Sequence, residues 1–130
     1  VASSHLYGGT VTQFVHTFKK LGIKVHWVDP RDFSAWERAI TPKTRALYGE
    51  TIGNPSGSIL DIERLAELAN AHRIPLIVDN TVPTPALLRP FRPLARLSHS
   101  QVFRDLRALR LPDEGACGSP TGCRRVYVAV

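Results

Sequence analysis

The chain has 130 residues, 43% of them hydrophobic, and its 17 Lys and Arg against 11 Asp and Glu give a formal net charge of +6. That length supplies one domain at most, long enough to bury roughly two-thirds of its unfolded surface, and no apolar run approaches the ~20 residues of a membrane span. The charge is uneven: residues 1–88 hold nine cations against eight acids, whereas residues 89–130 hold eight Arg against Asp105, Asp113 and Glu114, so the first two-thirds read as a near-neutral enzyme surface and not a nucleic-acid one.

In chain order, VASS (1–4) reads as the end of a strand, and a sequence without Met that starts at Val1 is expected to begin inside a larger protein. TVTQFVHTFKKL (10–21) spaces Val11, Phe14, Val15 and Phe18 along one helical face, with Gly22 as a stop. IKVHWV (23–28) alternates like a half-buried strand, and Asp29-Pro30 turns the chain. DFSAWERAI (32–40) repeats the helical pattern with Phe33, Trp36, Ala39 and Ile40, and RALYGE (45–50) is a short strand. TIGNPSGS (51–58) is rich in turn formers. DIERLAELANAHR (61–73) predicts a helix with Ile62, Leu65, Ala66 and Ala69 facing inward and acids in its first turn. IPLIVD (74–79) is the next strand, an apolar run that ends on Asp79.

Helices alternating with strands at this spacing predict parallel crossovers in an α/β layer fold. Helices on both faces would let residues 76–78 be continuously apolar. Beyond Phe91 the pattern lapses. Residues 92–130 are Arg-rich and free of Lys, and are expected to form an irregular, poorly ordered tail that leaves the strand edge beside 75–79 uncovered. Cys117 and Cys123 are too few for a structural zinc or a disulfide framework, which makes the reducing cytosol the expected compartment.

Ligands of open α/β sheets bind beyond the carboxyl ends of the strands. Three groups fall there: His5, Leu6 and Tyr7 leading into Gly8-Gly9-Thr10, then Glu50 and Asn54, then Asp79, Asn80 and Thr81. A ring, an amide and a carboxylate at one edge suit a flat cationic heterocycle, which an aromatic can stack on and a carboxylate can hold by a ring N–H⁺; pyridoxal phosphate is one such group. Position alone does not single it out. Tyr7 also reads as an ordinary half-buried aromatic, Asn54-Pro55 as the start of a turn, and Asp79 as a cap or a partner of Thr81. His5, His16, His26, His72 and His99 show no metal-ligand pairing.

SSHLYGGT (3–10), ETIGNPSGSILDIE (50–63) and PLIVDNTVPTPALLRPF (75–91) closely resemble, in order and spacing, the cystathionine γ-synthase-like, pyridoxal-phosphate-dependent enzymes of Cys/Met metabolism, and among them the branch that acts on O-acetylhomoserine. The resemblance covers residues 1–91. It implies part of the large domain of the fold-type I aminotransferase-like transferases, a homotetrameric assembly, and γ-replacement on O-acetylhomoserine by sulfide or a thiol to give homocysteine or methionine. It also implies that Tyr7 stacks on the cofactor, Asp79 pairs with its pyridine nitrogen and Asn54 lies near its phenolic oxygen, with Glu50, Gly8 and Thr81 in support.

Where the family continues into a stretch like ADIVVHSATKF, which carries the Schiff-base lysine, this chain reads LARLSHSQVFR (94–104), with Gln101, Val102 and Phe103 after His99-Ser100. Its last lysine is Lys43. The upstream phosphate cup, the Tyr/Arg segment donated across the dimer and the small C-terminal domain are likewise not in these residues. An ending of this composition is what an out-of-frame or decayed gene segment would encode. These 130 residues by themselves are therefore expected to turn over no O-acetylhomoserine, and the cofactor is implied for the family and not for this stretch alone. A non-catalytic fragment or non-functional product, or a basic nucleic-acid-binding protein acting through 89–130, are the alternatives.

Overall fold

The computed structural model describes residues 1–88 together with the strand residues 102–103 and 126–129. Its strands are β1 (Ala2–Ser3), β2 (Trp27–Val28), β3 (Leu47–Glu50), β4 (Leu76–Asp79), β5 (Val102–Phe103) and β6 (Val126–Ala129). They form one sheet in the order β2-β1-β3-β4-β6-β5, parallel at every junction. Its helices are α1 (Gly8–Thr12), continued through a π-helical turn at Gln13–Thr17 into α2 (Phe18–Lys20), then α3 (Phe33–Ala39), α4 (Ile62–Ala71) and α5 (Thr84–Leu87).

The strand order explains which face each helix takes. From β1 the chain steps one way to β2, and from β2 and then β3 it steps the other way. With crossovers of one hand, α1–α2 must cover one face of the sheet while α3 and α4 cover the other. The packing agrees. Trp36 of α3 and Leu65, Ala66, Leu68 and Ala69 of α4 are buried with Leu47, Leu76 and Val78 in one core, and the Arg64 guanidinium lies 3.9 Å from the centre of the Phe33 ring. Across the sheet, Phe14 meets Phe18, Trp27 and Tyr48 at ring separations of 4.8, 6.0 and 5.0 Å. The winding reverses between β1 and β3.

Local sequence signals set the helix ends. Asp61 caps α4 by accepting from the Arg64 amide at 3.1 Å, and Asp32 caps α3 by accepting from the Ala35 amide at 3.1 Å. Gly22 closes α2 with φ +73°, the Gly22 amide bonding Lys19 O and the Ile23 amide bonding Phe18 O. That is the left-handed closure glycine serves best. Asp61→Ala is expected to lower stability by about 1 kcal/mol, read as a drop of a few degrees in the thermal melt, with Asp61→Asn retaining most of it.

Four expectations need correction. The strand proposed over 23–28 shortens to Trp27–Val28, because β2 is an edge strand whose one neighbour, β1, is two residues long. The helical face of Val11, Phe14, Val15 and Phe18 is nowhere fully buried, and Val15 is 43% exposed; a π-helical turn at Gln13–Thr17 interrupts the helix, and Phe14 alone of the four meets strand residues in ring contacts. In α4 the inward face of Ile62, Leu65, Ala66 and Ala69 is as expected, with Ile62 partly buried and Leu68 joining the fully buried stripe. Residues 76–78 alternate in burial, since Ile77 faces the more thinly covered side. The edge beside 75–79 is paired, Leu76 through Asp79 aligning with Val126 through Ala129, so the irregular tail is interrupted by at least β5 and β6. The rest of the proposed 92–130 segment lies outside the described residues.

Candidate functional site

Because β1, β3 and β4 are parallel, their carboxyl ends share one edge. The winding reverses between β1 and β3, and the loop leaving β1 goes to α1 on one face while the loop leaving β3 goes to α4 on the other. A crevice opens where such loops part. Glu50 sits at its base. It is 7% exposed, accepts from the Tyr7 amide at 2.7 Å through Oε1 and from the Asn54 amide at 3.2 Å through Oε2, and is in register with Asp79 on the next strand. One carboxylate therefore gathers the loops that carry Tyr7 and Asn54 beside Asp79. Burial pushes the Glu50 carboxyl above the ordinary glutamate value; the Tyr7 and Asn54 amides pull it back, and Asp79 adds a smaller upward push.

A second tie joins the same loops. His5 Nδ1 and Ser58 Oγ are 2.9 Å apart, and a Cβ on Gly53 would stand 2.7 Å from Ser58 Oγ and 2.9 Å from His5 O. Only glycine allows that approach. Behind Asp79, fully buried Asn80 accepts from the Thr51 hydroxyl at 2.8 Å and donates to Leu88 O at 3.0 Å.

The proposed contact residues differ in how they are held. Asp79 Oδ1 accepts from both the amide and the hydroxyl of Thr81, so the local pairing anticipated for Asp79 exists. Oδ2 has no partner among the described residues. Thr81 thus fixes the carboxylate and turns one oxygen outward. Tyr7 is 60% exposed, and its ring lies over the start of α1, where a Cβ on Gly9 would come within 2.6 Å of Tyr7 Cε1. Asn54 is exposed, and its side-chain amide has no partner among the described residues. Tyr48, one pleat back on the same face as Glu50 and Asp79, is held neutral: burial raises its phenol strongly, Asp79 adds to this, and Thr10 opposes it.

Sequence reasoning placed Tyr7, Asn54, Asp79 and Thr81 at this edge and left Glu50 in support. It placed His5 at the edge without a role and missed Gly53 and Ser58, whose signal was the pairing of two loops distant in sequence. Among the described residues no group of His, Cys, Asp and Glu could hold a metal ion, and no helix is long and apolar enough to cross a membrane.

The family model for Cys/Met metabolism PLP-dependent enzymes matches residues 1–97. The chain belongs to that family. It is 48% identical over 91 residues to the O-acetyl-L-homoserine sulfhydrylase of Corynebacterium glutamicum, covering 69% of this chain and 21% of that protein. With the sulfhydrylase of Leptospira meyeri it is 49% identical over 92 residues, 71% of this chain and 21% of the relative. It thus spans about a fifth of the length of these relatives. Among solved structures, the Campylobacter jejuni O-acetylhomoserine (thiol)-lyase, which contains N'-pyridoxyl-lysine-5'-monophosphate, aligns with TM-score 0.68 and 42% identity over 70% of this chain and 23% of its own. Cystathionine gamma-lyase from Lactobacillus plantarum, complexed with L-serine, aligns with TM-score 0.68 and 41% identity over 69% of this chain and 24% of its own. The α/β parallel sheet is thus the fold of these pyridoxal-phosphate-dependent enzymes.

The four lysines supply the remaining piece of geometry. Lys24 and Lys43 precede β2 and β3, and Lys19 and Lys20 end the helix that returns from the carboxyl edge. All four fall toward the amino-terminal edge, away from Asp79.

Proposed function

We propose that these residues form the pyridine-ring side of a pyridoxal phosphate site, in an enzyme performing γ-replacement on O-acetylhomoserine with sulfide or a thiol. The reading is carried by one observation: the Glu50 carboxylate collects the Tyr7 and Asn54 loops beside an Asp79 whose Oδ2 is left free of described partners. The donor set fits the group at this end. A carboxylate at the strand terminus suits a ring N–H⁺, an exposed ring suits its face, and an amide suits its phenolic oxygen. When bound, pyridoxal phosphate supplies an electron sink for as long as its pyridine nitrogen stays protonated.

The protein's own part is positional. Asp79 Oδ2 would hold the proton at the ring nitrogen, Thr81 would keep that carboxylate from rotating, and Tyr7 would cover one face of the ring against water. Glu50 would maintain the spacing. The covalent end does not fit: no lysine among these 130 residues lies at this edge, so they would hold the cofactor reversibly and run no proton transfers at the substrate carbons. That favours a non-catalytic role for this stretch by itself, with O-acetylhomoserine and sulfide or thiol as substrates, homo-oligomeric assembly and a cytoplasmic setting belonging to the full-length enzymes. The proposed nucleic-acid role of residues 89–130 falls outside the described residues.

Titration of the protein with pyridoxal phosphate tests this. A charge-assisted hydrogen bond is worth about 1.5–3 kcal/mol, so Asp79→Ala is expected to weaken binding roughly ten- to hundredfold. Tyr7→Ala should weaken it less. Equal affinity in wild type and both variants, or homocysteine formation that depends on added cofactor, would overturn the reading.

A further inference from the structure

The opposite edge of the sheet holds a feature that none of this uses. A cleft of about 450 Å³ lies between the loop that leads into β3 and the turn between α4 and β4, and its polar lining is Thr41, Thr44, Arg45, His72 and Arg73. None of the described residues that line it is acidic. We propose that this cleft is a second binding site, for the phosphate group of a small phosphorylated molecule.

Two independent features support it. The first is charge without a partner. The ion pairs among the described residues are Arg31 with Asp29 and Arg38 with Asp32, so the guanidinium groups of Arg45 and Arg73 have no carboxylate partner among the described residues. A guanidinium presents paired donors that match phosphate oxygens.

The second is backbone conformation. Arg73 has φ +55° and occupies the closing position of α4, with its amide bonded to Asn70 O and the Ile74 amide bonded to Ala69 O. The same closure after α2 is made with Gly22. Every L side chain meets a steric cost there that glycine escapes. The chain thus keeps an arginine in a strained conformation at the point where that residue lines a cationic cleft, and strain of this kind clusters at binding sites.

Cations also gather at helix carboxyl ends to complement the carbonyls, and α3 and α4 both end near this cleft. That effect is too small to account for the set. Each helix end carries roughly half a negative charge, whereas Arg45 and Arg73 carry two full positive charges, and Lys43 adds a third in the same loop. Arg45 is also on no helix. A net positive cleft remains, within the roughly 300–1,000 Å³ range of small-molecule pockets, larger than phosphate alone needs.

Inorganic phosphate and pyrophosphate serve as probes, each compared with chloride at matched ionic strength, with melting temperature and the amide resonances of residues 41–45 and 72–74 as readouts. Both probes are expected to raise the melting temperature and shift those resonances. Arg73→Gly should melt higher than wild type without phosphate, through relief of the backbone strain, and should bind both probes at least tenfold more weakly. Arg45→Ala should lose the binding with no such gain. Arg31→Ala, which removes an exposed cation just after β2, should respond as wild type. No response beyond matched chloride in the wild type, or an undiminished response in Arg73→Gly, would overturn the proposal.

Discussion

Glu50→Ala is expected to cost about 2–4 kcal/mol and to loosen the crevice while the sheet survives. The variant loses two amide bonds to one carboxylate, the Tyr7 amide at 2.7 Å and the Asn54 amide at 3.2 Å. Bonds to a charged acceptor contribute about 1.5–3 kcal/mol each, and part of that is returned because a buried carboxylate no longer has to be desolvated. Hydrogen exchange separates this from general destabilisation. The Tyr7 and Asn54 amides should exchange faster by more than the global change allows, and the amides of β3 and β4 by no more than it. Equal acceleration everywhere would mean that Glu50 supports the fold without organising the site.

The charge state of Glu50 adds a pH dependence with a defined sign. Burial raises its folded-state pKa above the ordinary 4.5, so the folded protein holds this proton more tightly than the unfolded chain. Stability from that difference is complete below pH 4.5 or so and is lost as pH rises through the raised value. Glu50→Gln cannot ionise, and it also turns an N–H toward one of the two amides. The stability of the wild type relative to Glu50→Gln should therefore fall between pH 4 and pH 7, measured by denaturant melts at both. A difference that grows with pH would contradict the burial argument.

Trp36→Ala should be the most damaging core change, lowering stability by about 3–5 kcal/mol. Trp36 is fully buried between α3 and the sheet, at the centre of a cluster that includes Leu47, Leu65 and Leu76. Domains of this size hold only about 5–15 kcal/mol in total, so much of the margin disappears. Trp36→Phe should behave differently. The indole Nε1 is buried with no hydrogen-bond partner among the described residues, and leaving such a donor unmet costs about 1–3 kcal/mol. A phenyl ring removes that penalty and leaves a smaller void, whose cost at about 24 cal/mol per Å³ is of similar size. The two should nearly cancel, placing Trp36→Phe within roughly 1 kcal/mol of wild type in a denaturant melt. A loss as large as that of the alanine variant would show that the indole N–H is satisfied.

Much of this architecture is legible one segment at a time. Asp61 and Gly22 announce their helix ends because capping depends on residues within one turn, and the alternation of helix and strand follows from short periodicities. Asp79 stands out as a carboxylate at the end of an apolar run. The resemblance to the Cys/Met family rests on motifs of similarly local extent, and the match over residues 1–97 agrees with it.

Other properties arise only when distant segments meet. The order β2-β1-β3-β4 places the reversal of winding between β1 and β3, and periodicity within a strand carries no record of which neighbour it pairs with. Glu50 looked like support because its partner Tyr7 lies 43 residues away; a hydrogen bond that closes so long a loop leaves no spacing signal. The extent of β2 was misjudged for the same reason, since a strand is only as long as the neighbour that pairs with it. Sequence alone determined that a carboxylate, an aromatic ring and an amide occur at loop positions, and that lysine is confined to residues 19–43. The parallel sheet decided the rest. By giving every strand the same direction, it collected the first three at one edge and set the lysines toward the other.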